Sequence, residues 1–330
     1  MTTERKSDPV AEAVATLIHA AGHREDPPPE AYGIVLAAAQ EAFQGLVRRR
    51  RRWRIAAALA ATVVVAAAVA GLIRSRALTD ATVDVARIER VVGEAEVRAP
   101  GGSGWARIAS RQAVLQAGAR LRTGGSGAAA VTLAGGTSLR LAPATEAEFG
   151  DDARVHLRHG AVYADTGSSD GGTITVITAA GTARDLGTQF EVRYEHERLQ
   201  VRVREGRVEL QRDSGQIDAD SGTQLAVSAS GDVSRTVIAR AGPDWQWVES
   251  IAPTPDFDDQ PVSALLEWVA REMGYSLRYA STGVERQAAA TILHGKVAEM
   301  APLEVLDTLL QTTDLTYVLV DDATLEVRHK

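Results

Sequence analysis

The chain has 330 residues, 45% of them hydrophobic and 24% charged, which is enough to bury a core and enough length for two domains or more. With 36 Lys and Arg against 43 Asp and Glu the net charge is −7, which argues against a protein that coats nucleic acid. The absence of cysteine excludes disulfide scaffolds, thiolate metal sites and cysteine nucleophiles.

The first 54 residues carry 9 basic and 7 acidic side chains. Val10, Val14, Leu17 and Ile18 recur at helical spacing, and so do Tyr32, Val35, Leu36, Phe43, Leu46 and Val47 after the break at Pro27-Pro28-Pro29. The reading is a short α-helical tail over residues 1–54. Its two helices are too small to enclose a core and need a partner surface. The stripe of Tyr32, Leu36, Phe43 and Val47, spaced i, i+4, i+11, i+15, is the candidate partner-binding face.

From Ile55 to Ile73 run 19 uncharged residues, nine of them alanine and eight Ile, Leu or Val. As a helix this stretch is about 28 Å long, close to the hydrocarbon thickness of a bilayer. Arg48, Arg49, Arg50, Arg51, Arg52, Trp53 and Arg54 precede it, and only Arg74 and Arg76 follow closely. This asymmetry, with an interfacial tryptophan, predicts one transmembrane helix over 55–73 with the N-terminus in the cytoplasm. A buried soluble helix and a cleaved signal peptide are the two alternatives, and the 54-residue leader speaks against the second.

Beyond the span, over 82–241, period-two alternation replaces helical spacing, as in Leu139-Arg140-Leu141, Val155-His156-Leu157, Val201-Arg202-Val203 and Val208-Glu209-Leu210. Glycines punctuate the runs, so an all-β domain of many short strands is expected, with one face of each sheet covered and the other wet. Over 253–330 a small α/β module follows. Val262, Leu265, Leu266, Val269 and Met273 mark one helix, and Pro302 opens a second through Leu303, Leu306, Leu309 and Leu310. Strands are expected at 276–279, 290–293, 315–320 and 324–327.

Enzyme signatures do not assemble. Asp165-Thr166-Gly167-Ser168 resembles an aspartic-protease loop, but Asp213-Ser214-Gly215, the only tempting second loop, follows a charged Leu210-Gln211-Arg212 where an apolar strand is required. His156 and His159, three apart on a strand, should face opposite ways, and Asp258-Asp259 lacks the spacing of a calcium loop. No glycine loop ends in Lys-Ser or Lys-Thr, so no cofactor is expected.

The motif Leu186-Gly187-Thr188-Gln189-Phe190-Glu191-Val192 is followed by Val201-Arg202-Val203-Arg204-Glu205-Gly206-Arg207-Val208. With Leu115, Gly118, Leu121, Thr123, Gly124, Gly136, Ser138, Leu139 and Gly160, these residues resemble the FecR-like transmembrane anti-sigma regulators. Phe257, Pro261 and Leu265, then Gly295, Pro302, Leu303, Thr313, Leu315 and Tyr317, make the last module look like the short secretin and TonB N-terminal domain. The resemblance implies a solenoid-like periplasmic domain on a single inner-membrane helix. It implies as partners an extracytoplasmic-function sigma factor inside, and outside a TonB-dependent outer-membrane transducer or another periplasmic protein. Only 47 residues precede the arginine run, fewer than is usual in that family, and none of them is tryptophan, so a membrane-anchored envelope protein that binds no sigma factor is the competing expectation. Gly187 and Gly206 are read first as backbone necessities at strand junctions. Relatives processed in the periplasm add a second reading, in which the Thr188 hydroxyl attacks the Gly187 carbonyl of a strained turn.

Overall fold

A computed structural model describes residues 9–22, 28, 33 and 83–330, apart from 109–111, 168–172, 296–299 and 322. The candidate span 55–73, the arginine run with Trp53, and the stripe of Tyr32, Leu36, Phe43 and Val47 lie outside these residues. Among the described residues no helix is long and apolar enough to cross a membrane. The chain divides into two units, Met1–Ala81 and Thr82–Lys330. In the first, α1 (Pro9–Ala20) forms where the helical spacing predicts it, with Val14, Leu17 and Ile18 exposed.

The second unit begins with seventeen strands among its described residues. They are β1 (Asp84–Val92), β2 (Ala95–Arg98), β3 (Ala106–Arg107), β4 (Val114–Gln116), β5 (Ala119–Thr123) and β6 (Ala128–Leu133). Next come β7 (Ser138–Leu141), β8 (Glu146–Phe149), β9 (Arg154–Asp165), β10 (Thr175–Thr178), β11 (Gly181–Asp185) and β12 (Gln189–Glu195). The series ends with β13 (Arg198–Glu205), β14 (Arg207–Arg212), β15 (Gly215–Asp220), β16 (Thr223–Val227) and β17 (Val233–Val237).

Pairing sorts them into two layers. The first sheet runs β4-β1-β6-β7-β9-β12-β13-β16-β17. The second runs β3-β2-β5-β8-β9-β10-β11-β14-β15. Strand β9 belongs to both: residues 154–159 pair in the second sheet and 160–165 in the first. From β6 onward the chain lays hairpins alternately into one sheet and the other, so both grow in the same direction along the stack. All pairs are antiparallel except β9 with β10. Apolar side chains from both sheets, among them Phe149, Val176, Phe190, Val201 and Leu210, form one continuous core. That is the arrangement of two sheets packed face to face, with alternate residues pointing inward.

The C-terminal part continues from a 3-10 turn (Pro243–Trp245) into α2 (Gln246–Ser250), α3 (Val262–Met273), β18 (Ser276–Tyr279), α4 (Thr282–Ala290), α5 (Pro302–Leu310), β19 (Leu315–Asp321) and β20 (Thr324–His329). The three strands lie in the order β18-β20-β19. Leu265, Leu266 and Val269 of α3 share a core with Val305, Leu306, Leu325 and Val327. Residues 290–293 differ from expectation. Instead of a strand they hold the end of α4 and a single bridge, Pro261 to Ile292. The helix follows from Ser281, whose side chain accepts from the Val284 amide as an N-cap, and from the alanine-rich run 288–290.

The expectation of one wet face per sheet is corrected for the first sheet. Arg140, Tyr163, Asp165, Gln189, Glu191, Arg202 and Arg204 alternate with core residues and point away from the core, yet all are buried. What covers them is the segment from Arg240 to Gly274.

Candidate functional site

Period-two alternation puts the outward side chains of β7, β9, β12 and β13 on one surface, and these four strands are adjacent in the first sheet. Because the outward residues there are charged, covering them requires partners of opposite sign, since an unpaired buried charge is very costly. The Arg240–Gly274 segment supplies them. Arg140, 1% exposed, pairs with Glu272 of α3 at 2.7 Å and donates to the Val248 carbonyl at 3.1 Å. Burial pulls the Arg140 guanidinium down, but the charge and hydrogen bond of Glu272 outweigh it and hold its pKa above the ordinary arginine value.

Arg204 is fully buried and reaches three parts of the covering segment. It donates to the carbonyl of Arg240 at 2.6 Å and that of Glu272 at 2.8 Å, and to the Glu249 carboxylate at 3.2 Å. Gln189 donates to the Arg271 carbonyl at 3.2 Å. The sheet thus satisfies the Glu272 carbonyl at the C-terminus of α3, adds a second donor to the Arg271 carbonyl that the Gly274 amide already reaches at 3.2 Å, and places a cation at the negative end of the helix dipole. Gly274 ends α3 with φ +73°, and a Cβ there would lie 2.3 Å from Arg204 Nε and from the Arg240 carbonyl oxygen. Only glycine permits this seat.

Aromatic rings fill the rest. Trp245 packs edge-on against Tyr163 with ring centroids 6.1 Å apart, and the guanidiniums of Arg202 and Arg204 lie 4.6 and 5.0 Å from the Trp245 ring. Burial pushes the Tyr163 phenol well above its usual value. Trp247 donates to Glu191 at 2.9 Å, and Arg202 pairs with Asp244 at 3.0 Å.

The third cluster joins this covered face to the Gly187-Thr188 turn. Asp165 takes both Nε and a terminal nitrogen of Arg271, and accepts from Gln189 at 2.9 Å and from the Gly167 amide at 2.9 Å. Burial pushes the Asp165 carboxyl up, but these donors, Arg271 foremost, hold it below the usual carboxylate range. One residue on, Thr166 Oγ1 accepts from the Thr188 amide at 2.9 Å, and donates to the Thr188 carbonyl at 3.2 Å. Register explains the geometry, because Asp165 stands opposite Gln189 at the β9–β12 edge.

Gly187 has φ +88° and Gly206 φ +82°. At Gly206 a Cβ would lie 2.5 Å from both the Gly187 carbonyl oxygen and Thr188 Cγ2, so the Glu205-Gly206 turn is pressed against the Gly187-Thr188 peptide. Thr188 is 2% exposed, and its hydroxyl donates to Asp185. Burial pushes the Asp185 carboxyl up despite the hydrogen bond it accepts from the Thr188 hydroxyl. Its Oδ2 has no hydrogen-bond partner among the described residues.

The protease-like carboxylates do not meet. Asp165 is engaged by Arg271, while Asp213 sits at the β14–β15 turn of the other sheet. His156 and His159 are both exposed rather than on opposite faces, because β9 carries an extra residue opposite Glu146-Ala147. Asp258, Asp259 and His294 come together with ligand atoms within 4.8 Å, all exposed, and His294 Nδ1 lies 3.0 Å from Asp259. Sequence reasoning missed this proximity, and missed Arg140, Arg204, Glu272 and Arg271 as a network. The available signal was the run of arginines at outward strand positions with no obvious solvent role.

Residues 119–209 match a family model described as FecR protein, so the stretch from β5 into β14 is FecR-like. Two crystal structures of a candidate anti-sigma factor from Parabacteroides distasonis ATCC 8503, at 2.50 and 1.65 Å, are similar in part. Each aligns at 16% identity with a TM-score of 0.36, covering 64% of this chain and 98% and 99% of theirs. No curated protein matches the sequence.

Proposed function

We propose that this chain is a single-pass signal transducer of the anti-sigma kind, with a FecR-like sandwich and its docked C-terminal module as the sensory part. In this reading residues 55–73 cross the inner membrane and residues 1–54 engage an extracytoplasmic-function sigma factor through Tyr32, Leu36, Phe43 and Val47. Arg48 to Arg52 and Arg54, with Trp53, hold the N-terminus in the cytoplasm. The C-terminal module, similar to a short secretin and TonB N-terminal domain, receives a TonB-dependent outer-membrane transducer or another periplasmic protein.

The observation that carries the reading is the FecR match over 119–209, which contributes every strand of the covered face. Its test is co-purification of the full chain with each extracytoplasmic-function sigma factor of the host. Capture that a Leu36→Glu/Phe43→Glu double variant abolishes is the expected result. Failure to capture any of them favours the competing reading of a membrane-anchored envelope protein.

A second reading, self-processing at Gly187-Thr188, is favoured by one arrangement: a buried hydroxyl that donates to a carboxylate whose affinity for protons is raised. The Thr188 oxygen adds to the Gly187 carbonyl carbon while its proton passes to Asp185. Collapse breaks the bond from the Gly187 carbon to the Thr188 nitrogen, and the amine takes up the proton. Water then hydrolyses the ester, giving a Gly187 carboxylate and restoring the Thr188 hydroxyl. The check is a fragment whose N-terminus is Thr188, present in wild type and Thr188→Ser and absent in Thr188→Ala.

A further inference from the structure

We propose that Arg271 is a positioning residue for the Gly187-Thr188 turn, so that the seat of α3 on the first sheet decides whether that turn is held or released. The proposal deepens the self-processing reading by naming how its site is regulated, but its central measurement does not depend on any cleavage.

The argument is one of connectivity. Two elements flank the turn on the strand side: Thr166, which bonds both the amide and the carbonyl of Thr188, and Gln189, the next residue along. Each is tied within one residue to α3. Thr166 follows Asp165, whose carboxylate is gripped by the Arg271 fork. Gln189 spends the two protons of its side-chain amide on Asp165 and on the Arg271 carbonyl. Both anchors therefore end on the same residue of α3, one through its side chain and one through its main chain. Asp165 is buried, and removing Arg271 leaves its charge with only the Gln189 and Gly167 donors, so β9 and β12 must rearrange at this point. A bidentate arginine fixes the carboxylate in angle as well as distance, which a lysine does not.

The opposite side of the turn behaves differently. Gly206 and Asp185 contact Gly187 and Thr188 from within the sandwich, and among the described residues neither is joined to the C-terminal module by a hydrogen bond or an ion pair, although the charge of Glu205, next to Gly206, is felt by Arg271. Lifting α3 thus frees the turn on one side while the other side still holds it. A partner that pulls on the module would act on the turn through this asymmetry. The groups facing Asp165 are Arg271, Gln189 and the Gly167 amide, with the Arg140 guanidinium and the neutral Tyr163 phenol nearby.

The test is residue-resolved hydrogen exchange on the full chain in detergent, comparing wild type with Arg271→Gln, Arg271→Lys and, as a control in the same module, Arg278→Gln, an exposed arginine paired with Glu326 within the three-stranded sheet. The expected result is at least a tenfold fall in protection of the Thr188 amide in Arg271→Gln and a smaller fall in Arg271→Lys. The Arg278→Gln variant should show none, with amides of β10 and β11 unchanged throughout. Unchanged Thr188 protection in Arg271→Gln overturns the proposal, and so does a loss shared equally by β10 and β11, which would mean general unfolding. Fragment yield is scored in parallel. If wild type gives no Thr188 fragment while the exchange pattern holds, the self-processing reading fails and the coupling stands. If the fragment forms at the same rate in wild type and Arg271→Gln while exchange differs, regulation of processing by α3 is refuted.

Discussion

Replacing Glu272 with alanine strips the Arg140 guanidinium of its carboxylate while leaving it 1% exposed and bonded only to the Val248 carbonyl. Breaking a buried pair from one side costs about 3–5 kcal/mol, because the surviving charge stays desolvated. The main-chain carbonyl of residue 272, which accepts from Arg204, is untouched by this change. Arg140→Met should cost a similar amount for the mirrored reason, since Glu272 is then left buried. The double variant Arg140→Met/Glu272→Leu removes both charges and fills the space with apolar atoms, so its loss should fall to about 0–2 kcal/mol. The coupling between the two sites is then about 4 kcal/mol or more, far above the few tenths expected of independent positions. Urea unfolding followed by tryptophan emission measures it, because Trp245 lies under Arg202 and Arg204 at the same interface. A Glu272→Ala loss below about 1 kcal/mol, or a double variant as unstable as the sum of its parts, would refute the claim that this pair is desolvated by docking.

Gly206→Ala should destabilise by about 2–5 kcal/mol, combining left-handed backbone strain with a Cβ forced against the Gly187 carbonyl and Thr188; a urea midpoint equal to wild type would show that the two turns are not in contact. Gly274→Ala should unseat α3 and raise Trp245 solvent accessibility to acrylamide, since its Cβ meets Arg204 and the Arg240 carbonyl. The pH dependence has two limbs of opposite sign. Asp185 and Glu249 have folded-state pKa values raised by burial, so their contribution is present below the unfolded value near 4 and is lost as pH rises through the folded value. Asp165, held low by Arg271, contributes above that unfolded value and loses its contribution as pH falls through its depressed one. Stability should therefore increase modestly from neutral pH to about pH 4.5 and fall below about pH 4. Asp185→Asn should flatten the first limb, and an unchanged rise in that variant would assign it elsewhere.

Much of the architecture was legible because it rests on periodicity. The alternation Val201-Arg202-Val203 dictates a strand with one apolar face, and Phe190 and Val192 lie in the core where that face points. The helix at Val262–Met273 follows from its apolar spacing, and the one at Pro302–Leu310 from its opening proline. Helix α4 was missed because its alanines carry no clear stripe. What periodicity does not reveal is what lies against the polar face. Arg140 and Arg202 look like solvated side chains in sequence, and the residues that bury them, Glu272 and Asp244, stand 132 and 42 positions away. No local rule links such pairs. The same limit explains Asp165, whose sequence neighbours suggested a catalytic loop and whose partner, Arg271, is 106 residues distant. The Gly187-Thr188 turn was legible as a backbone necessity, but its attachment to α3 through Gln189 emerges only in three dimensions.

The alternating placement of hairpins in the two sheets has a consequence for how the chain is made. Nearly every strand pairs with one laid down shortly before it, so the stack can assemble from its N-terminal end while synthesis continues. The covered face cannot. Arg140, Asp165, Gln189 and Arg204 are in place long before Glu249, Arg271 and Glu272 exist to meet them, and during that interval they face water. A chain released early would be a folded sandwich with an uncapped face of mixed charge. Arrival of the segment from Arg240 to Gly274 is therefore a structural checkpoint, at which the polar face of the first sheet passes from water to protein partners.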